Sequence, residues 1–111
     1  MKKLVYVAGP LMSFGVQATN VRKGALAALD LMKSGIDAFC PHFSWFADLF
    51  EDEPPDYERW ISLDFNVLGR CDALLRLPGR SPGADREVAF AIENGIPIFH
   101  TVVEVISWAQ K

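Results

Sequence analysis

The sequence predicts a small doubly wound α/β fold, a parallel sheet of four to five strands with helices on both faces. Short apolar segments alternate along the chain with longer segments in which apolar residues recur at helical spacing. Consecutive apolar segments are separated by enough residues for a helix, as a crossover between parallel strands requires. The 111 residues, 50% of them apolar, have the size of a single domain, 1–111.

Four segments are the predicted strands. The first, Leu4–Ala8, is a continuous apolar run that a Gly-Pro pair ends, which is typical of a strand buried on both faces. The second, 36–40, stops at a proline. The remaining two are 73–77 and 96–99.

The first predicted helix covers about 21–34. Thr19 or Asn20 can cap its start, and Gly35 ends it. The apolar residues that recur at helical spacing within it are Ala25, Leu29 and Met32.

Three further helices are predicted at about 57–70, 82–94 and 102–110. Ser81 as the cap, followed by a proline at the first helical position, is a strong start signal for the second of these. Thr101 and the glutamate three residues later form a capping box that opens the last helix.

The segment 41–56 has no clear period. Its aromatic residues indicate a short helix or a lid over a pocket, and its acidic end, 51–56, is predicted to be a surface loop. These aromatic residues are Phe43, Trp45, Phe46 and Phe50.

Composition excludes several classes of protein. The formal net charge is −3 and the basic residues are scattered, so a nucleic-acid polymer is not an expected partner. Cys40 and Cys71 lack metal-site spacing and are expected to be reduced, buried thiols, which favours a cytoplasmic location and no metal. The apolar run near the N-terminus is too short for a signal segment or a membrane span.

Ligands of doubly wound folds bind at the carboxyl ends of the strands. This rule selects the loops 9–15, 41–45 and 78–83 as candidate binding loops. Gly9, Ser13, Gly15 and the backbone amides that follow Ser81 are candidates for binding a phosphate or a ribose hydroxyl.

One carboxylate lies on an apolar helix face. Projection of the helix 57–70 at 100° per residue places Asp64 among apolar side chains. A buried carboxylate must be hydrogen-bonded, paired or raised in pKa; alternatively, Asp64 caps a loop or pairs with an arginine. The residues of that face are Tyr57, Trp60, Ile61, Val67, Leu68 and Cys71.

A second carboxylate, Glu87, faces inward from the helix 82–94, whereas Asp85 and Arg86 face solvent. Asp85 in the first helical turn is best explained by the helix dipole. Two inward acids at the carboxyl edge of a parallel sheet suit a reaction through an oxocarbenium-like sugar, in which one attacks or stabilises the anomeric carbon and the other handles a proton. This chemistry needs no metal or organic cofactor.

These residues resemble the nucleoside 2-deoxyribosyltransferase superfamily, including its deoxynucleoside 5'-monophosphate N-glycosidase branch and related small phage and bacterial proteins. The similar stretches follow the family's order and span most of the chain. They are VYVAGPL at 5–11, the segment from Asp64 to CDALL at 71–75, LPG at 77–79, SPGADRE at 81–87 and the following 89–96.

The resemblance implies a flavodoxin-like fold, a small-molecule nucleoside or nucleotide substrate, and a homodimer or higher homo-oligomer. It also implies that Glu87 is the nucleophile, that Asp64 assists protonation of the leaving base and that Tyr6 positions both nucleophile and substrate. By residue type alone, Tyr6 is equally well explained as a buried strand aromatic. The implied sites for substrate or phosphate are Gly9, Pro10, Ser13, Ser81 and Gly83.

The chain also departs from the family's pattern. The first loop reads GPLMSFG where the glycosidase branch has a basic, Gly-rich loop, and ADR precedes Glu87 where the characterised enzymes have small or aromatic residues. His42 and Trp45 are candidates to line the pocket or stack on a base, although a loop hydrogen bond is favoured for His42 and core packing for Trp60.

The sequence therefore favours an enzyme, a transferase or hydrolase, acting on the N-glycosidic bond of a 2'-deoxynucleoside or its 5'-monophosphate through a covalent glutamyl-sugar intermediate. The alternative is a non-catalytic nucleotide-binding or interaction protein with the same fold. A third interpretation is a subunit of a larger assembly, with the aromatic residues of 43–50 at its interface.

Overall fold

A computed structural model describes residues 1–11, 15–44, 47, 50–53 and 56–111. Within these residues the strands form one four-stranded sheet, in the order β2-β1-β3-β4, and every pair is parallel. This is the order of flavodoxin-like sheets, whose switch point lies between β1 and β3. The predicted fold class is confirmed. The strands are β1 (Leu4–Ala8), β2 (Asp37–Phe39), β3 (Ala73–Arg76) and β4 (Ile98–Phe99).

Four α-helices lie in the described part of the chain, together with a short 3₁₀ helix at Pro41–Ser44. Side-chain caps begin three of the α-helices: Asp56, Ser81 and Thr101 each accept a hydrogen bond from a backbone N–H three residues later. The caps predicted at Ser81 and Thr101 are therefore confirmed. The helices are α1 (Gln17–Lys33), α2 (Tyr57–Leu68), α3 (Pro82–Glu93) and α4 (Val102–Ala109).

The sheet is covered on both faces. Because side chains alternate along a strand, Val5 and Val7 of β1 pack on one face in a cluster with α1 and α4. Tyr6 and Ala8 pack on the opposite face in a cluster with α2 and α3. The second face therefore presents Tyr6 to the two helices that carry the predicted acids.

The predicted start of α1 is wrong. The helix begins at Gln17, and its cap position is Val16, which makes no side-chain capping bond. Asn20 lies inside the helix, where its Nδ2 donates to the carbonyl of Leu11 at 2.9 Å. The side-chain amide of Asn20 therefore bonds the backbone at Leu11, and neither Asn20 nor Thr19 caps the start of α1.

The apolar residues that recur at helical spacing do not form the buried face of α1, since Leu29 and Met32 are 44% and 42% exposed and Ala25 is only half-buried. The helix approaches the end of β2 so closely that a Cβ on Gly24 would lie 2.8 Å from the Cys40 sulphur. Small side chains therefore form much of the contact. The buried residues are Asn20, Gly24, Ala27, Ala28 and Leu31.

Other boundaries are shorter than predicted. β2 and β4 each pair with a single neighbour, and their ladders cover only part of the predicted ranges 36–40 and 96–99. Helix α2 ends at Leu68, before its predicted end at 70. Tyr57 is exposed and does not belong to the buried face of α2, because it lies in the first turn. Cys40 and Cys71 are free and buried, as predicted.

The segment 41–56 is described in part. Its first residues form the 3₁₀ helix, and Phe50 is exposed. Trp45 and Phe46 lie outside the described residues, as does the side chain of Phe43. None of the described helices is both long and apolar enough to cross a membrane.

Candidate active site

The centre of the site is a hydrogen bond between two buried side chains that are 81 residues apart in sequence. Tyr6, in the middle of β1, is fully buried, and Glu87, in the second turn of α3, is 5% exposed. The Tyr6 hydroxyl donates to Oε2 of Glu87. Glu87 thus has the inward orientation that the helical projection predicts, and β1 and α3 meet through it.

Burial controls the ionisation of this pair. It raises the pKa of Glu87 to about 7; the Tyr6 hydrogen bond acts against this rise, the charge of Asp64 adds to it, and the charge of Arg76 opposes it. Burial and the neighbouring charge of Glu87 raise the pKa of the Tyr6 hydroxyl far above its usual range. Tyr6 is therefore a neutral hydrogen-bond donor, and Glu87 changes its charge near neutral pH.

Asp64 projects from the middle of α2 and is half-buried. Burial raises the pKa of its carboxyl to about 6. No arginine forms an ion pair with Asp64 within the described ranges. Of the possibilities that the sequence leaves open for Asp64, the structure supports a raised pKa. The charge of Asp64 also raises the pKa of Glu87, and the two carboxylates are therefore coupled.

The start of α3 supplies the next part of the site. Ser81 is buried, and its Oγ accepts the N–H of Ala84 at 3.0 Å. A Cβ on Gly83 would lie 2.8 Å from the Tyr57 hydroxyl. Tyr57 therefore covers the first turn of α3, and a larger residue than glycine at position 83 would displace it.

Arg86 is on the outer side of α3, as predicted. Its guanidinium donates to both carboxylate oxygens of Glu58, at 2.9 and 3.2 Å, and lies 5.8 Å from the ring centroid of Tyr57. This surface pair links α2 to α3 beside the covered turn.

The loop after β1 approaches the loop after β3 at the switch point. A Cβ on Gly9 would lie 3.0 Å from the Cβ of Leu77, so this close approach requires glycine. The carbonyl of Pro10 is 2.7 Å from Nε2 of His42. His42 is 3% exposed, and burial lowers its pKa. The ring is therefore neutral and donates from Nε2, which is the loop hydrogen bond that the sequence favours.

The structure brings Tyr6, Glu87 and Asp64 together on one face of the sheet, with Ser81 and Gly83 at the adjacent helix end. His42 is tied to Pro10 on the β2 side of the same edge. Ser13 and Trp45 lie outside the described residues. No group of three His, Cys, Asp or Glu side chains within the described ranges is close enough to hold a metal ion.

Trp60 is half-buried on α2, and the core packing that the sequence favours for it stays a prediction. Its indole Nε1 is buried and has no acceptor among the residues that the structure describes. The guanidinium of Arg59 lies 5.8 Å from its ring centroid.

Arg76 belongs to the site but was not found by the sequence analysis. It ends β3, and side-chain alternation places it on the face of Leu74 and Tyr6. Its Nη2 donates to the carbonyl of Gly79 at 2.9 Å and to Oδ1 of Asp85 at 3.2 Å. An arginine within the otherwise apolar run 73–77 is the signal that could have identified it.

No protein-family model matches this chain, and a search of curated proteins finds no match. Solved structures do match. The chain is similar to a conserved protein from Enterococcus faecalis V583, with a TM-score of 0.63 and 22% identity over 88% of this chain and 62% of that protein. It is also similar to a 2-deoxyribosyltransferase from Bacillus psychrosaccharolyticus, with a TM-score of 0.62 and 21% identity over 86% of this chain and 69% of that enzyme.

The chain shares the fold of these two proteins. It spans about three fifths of the length of the Enterococcus protein. At this level of identity the likeness establishes the flavodoxin-like α/β fold, and function must be argued from the site.

Proposed function

We propose that this protein is an enzyme that cleaves or transfers at the N-glycosidic bond of a 2'-deoxynucleoside or its 5'-monophosphate, through a covalent glutamyl-sugar intermediate and without a metal or organic cofactor. The observation that carries the proposal is the buried Tyr6–Glu87 hydrogen bond beside Asp64. A carboxylate of near-neutral pKa beside a second acid is typical of a catalytic site, and both lie on the face of a sheet whose fold binds ligands at the carboxyl ends of its strands. The likeness to a 2-deoxyribosyltransferase adds support.

In the first step, the ionised carboxylate of Glu87 attacks the anomeric carbon of the sugar. A bond forms between a carboxylate oxygen and this carbon while the bond from the carbon to the base nitrogen breaks. The electron pair of the broken bond leaves with the base, and Asp64 in its acid form donates a proton to it. Burial favours this acid form, since it raises the pKa of Asp64 to about 6.

In the second step, water or a second base attacks the same carbon. The glutamyl-sugar bond breaks, and its electron pair restores the carboxylate of Glu87. The proton of the attacking group returns to Asp64, so the enzyme regains its starting state. Hydrolysis and transfer therefore differ only in the nucleophile admitted to the second step.

Tyr6 positions the nucleophile in this scheme. Its hydroxyl occupies Oε2 of Glu87, which leaves Oε1 as the oxygen assigned to the attack. The same hydrogen bond favours the ionised form of Glu87, because a hydroxyl donor stabilises a carboxylate more than a neutral acid.

Two loops are proposed to hold the rest of the substrate. The start of α3, with Ser81 and Gly83, is assigned to a 5'-phosphate or a sugar hydroxyl, since a helix N-terminus favours anions. The second loop is 9–15: Gly9 lies against Leu77 at its start, and Ser13 is assigned to it from the sequence. His42 acts through its hydrogen bond to Pro10, and Trp45 is assigned to the base.

We also propose that the protein forms a homodimer or a larger homo-oligomer. Leu26, Leu29 and Met32 on α1 are exposed apolar side chains, which supports self-association. Light scattering of the purified protein tests this: a mass of two or more chains is expected, and a monomer at all accessible concentrations would contradict it.

Release of free base tests the proposed activity. Purified protein is incubated with deoxy- and ribonucleosides and their 5'-monophosphates, with and without a second base, and products are separated by chromatography. Glu87→Gln is expected to lose at least about 100-fold in rate. Glu93→Gln is the matched control, because it changes an exposed residue of the same helix. Wild-type rates in Glu87→Gln, or no base released from any substrate, would overturn the proposal.

A further inference from the structure

We propose that Arg76 is a positioning residue of this site: its guanidinium fixes the turn 77–80 and the first turn of α3, and thereby the place of Glu87. The catalytic consequence of this inference rests on the proposed function. The structural part rests on the contacts of Arg76 alone.

The contacts of Arg76 all lie in one short stretch of chain. Nη1 donates to the carbonyl of Leu77, and Nη2 donates to the carbonyl of Gly79 at 2.9 Å and to Oδ1 of Asp85 at 3.2 Å. The Arg76 side chain is 13% exposed, whereas that of Asp85 is 72% exposed. Since exposed ion pairs contribute little, the bonds to the two carbonyls are the main structural contribution.

These carbonyls belong to a turn whose backbone conformation favours glycine. Gly79 has a φ of 114°, which other residues rarely adopt. The turn leads directly into Ser81, whose Oγ and carbonyl accept the N–H groups of Ala84 and Asp85. Arg76 therefore bonds the turn before α3, at Leu77 and Gly79, and the first turn of α3, at Asp85. The start of α3 in turn sets the position of Glu87 one turn later.

Arg76 also supplies positive charge on the buried side of α3. The groups from the surrounding elements that act on Glu87 are Tyr6 from β1, Asp64 from α2 and Arg76 from β3. The Tyr6 hydrogen bond and the charge of Arg76 lower the pKa of Glu87, while Asp64 raises it. The planar guanidinium can bond several acceptors at once, which a lysine ammonium on a flexible stem does less well.

A residue that only stabilised the fold would lower the unfolding free energy without changing the ionisation of Glu87. A positioning residue changes both the turn and the carboxylate. Substitutions that separate charge from hydrogen-bond geometry therefore distinguish the two roles.

The experiment compares Arg76→Gln, Arg76→Lys and the control Arg86→Gln. Like Arg76, Arg86 forms an ion pair, but its partner is Glu58 and the pair lies on the exposed side of α3. The pKa of Glu87 is followed by carboxyl carbon NMR, with Glu87→Gln to assign the signal, and the order of residues 79–84 by amide hydrogen exchange. Where base release is measurable, kcat and KM are determined across pH.

Arg76→Gln is expected to raise the pKa of Glu87 by about one pH unit and to shift the acidic limb of the kcat profile equally. Arg76→Lys is expected to leave that pKa near the wild-type value while accelerating exchange at 79–84 by about tenfold or more. Arg86→Gln is expected to change neither. An unchanged Glu87 pKa in Arg76→Gln, or unchanged exchange in Arg76→Lys, would overturn the inference.

Two further outcomes remain informative. If Arg76→Gln does not fold, the exchange measurement on Arg76→Lys decides the inference. If the wild-type protein releases no base, the proposed function fails, but the pKa and exchange results still establish or refute the role of Arg76 in holding Glu87.

Discussion

Replacing Tyr6 by phenylalanine removes one hydroxyl and keeps the ring that fills the sheet face. The substitution therefore isolates the hydrogen bond from Tyr6 to Oε2 of Glu87. A hydrogen bond to a charged group is worth about 1.5–3 kcal/mol, and one pH unit corresponds to about 1.4 kcal/mol. We expect Tyr6→Phe to raise the pKa of Glu87 by about one to two pH units.

The consequence for activity follows from the fraction of Glu87 that is ionised. Burial already raises the pKa of Glu87 to about 7, so about half of the Glu87 carboxylates are ionised at pH 7. A further rise of one to two pH units would reduce this fraction about 5- to 50-fold. The rate at pH 7 should fall by that factor, and the ratio of the Tyr6→Phe rate to the wild-type rate should partly recover as the pH is raised, because loss of the Asp64 proton lowers both rates alike.

Carboxyl carbon NMR measures the pKa directly, and the base-release assay measures the rate across pH. Tyr57→Phe is the matched control for the titration, because the Tyr57 hydroxyl lies over Gly83 and does not bond Glu87. An unchanged or lowered Glu87 pKa in Tyr6→Phe would refute the reasoning about this hydrogen bond.

Three other substitutions give further tests. Glu87→Gln should stabilise the protein at pH 8 relative to wild type, as measured by urea unfolding. The folded pKa of Glu87 is raised from 4.5 to about 7. The stability contributed by the acid form is therefore complete below about pH 4.5 and is lost as the pH rises through 7, by an amount of the order of 3 kcal/mol. A difference in stability that does not change with pH would count against this. Asp64→Asn should lower the pKa of Glu87 in the same NMR titration, since it removes a neighbouring negative charge; a higher pKa would be inconsistent with the coupling. Gly83→Ala should displace the Tyr57 ring, because the added Cβ would lie 2.8 Å from its hydroxyl, and Tyr57 ring NMR shifts identical to wild type would show that the contact is absent.

The first strand, two helix caps and the inward orientation of Glu87 could be predicted because they depend on local patterns. The apolar run Leu4–Ala8 and the caps at Ser81 and Thr101 are visible in a few adjacent letters. A helical projection is enough to place Glu87 on the inner side of α3. These features do not depend on which other elements lie nearby.

The face of α1 could not be predicted, because it depends on how closely two elements approach. Leu29 and Met32 recur at helical spacing, but the helix contacts Cys40 and His42 through position 24, where only glycine leaves enough room. The start of α1 was wrong for a related reason, since Asn20 bonds the carbonyl of Leu11 in a loop that the sequence does not place. In both cases a tertiary contact overrides a local sequence signal.

Arg76 illustrates the same limit within the site. Nothing in residues 73–77 says that the guanidinium turns to the carbonyl of Gly79 and to Asp85. The position of an arginine at the end of a buried strand was visible, but its acceptors are set by the turn that follows. Tyr6 and its role beside Glu87 were selected only by resemblance, and the hydrogen bond that joins them depends on β1 and α3 lying side by side.

The central claim is that Glu87 becomes covalently bound to the sugar, and peptide mass spectrometry of the acid-quenched protein tests it most directly. Protein mixed with a reactive deoxynucleoside or its 5'-monophosphate is quenched in acid at short times and then digested. The account predicts an added mass equal to one deoxyribosyl group, or its 5'-phosphate, on the peptide that contains Glu87, and none in Glu87→Gln. Base release with no adduct, an adduct on another residue, or nucleotide binding with no chemistry would contradict it, and the last result would favour a non-catalytic nucleotide-binding protein.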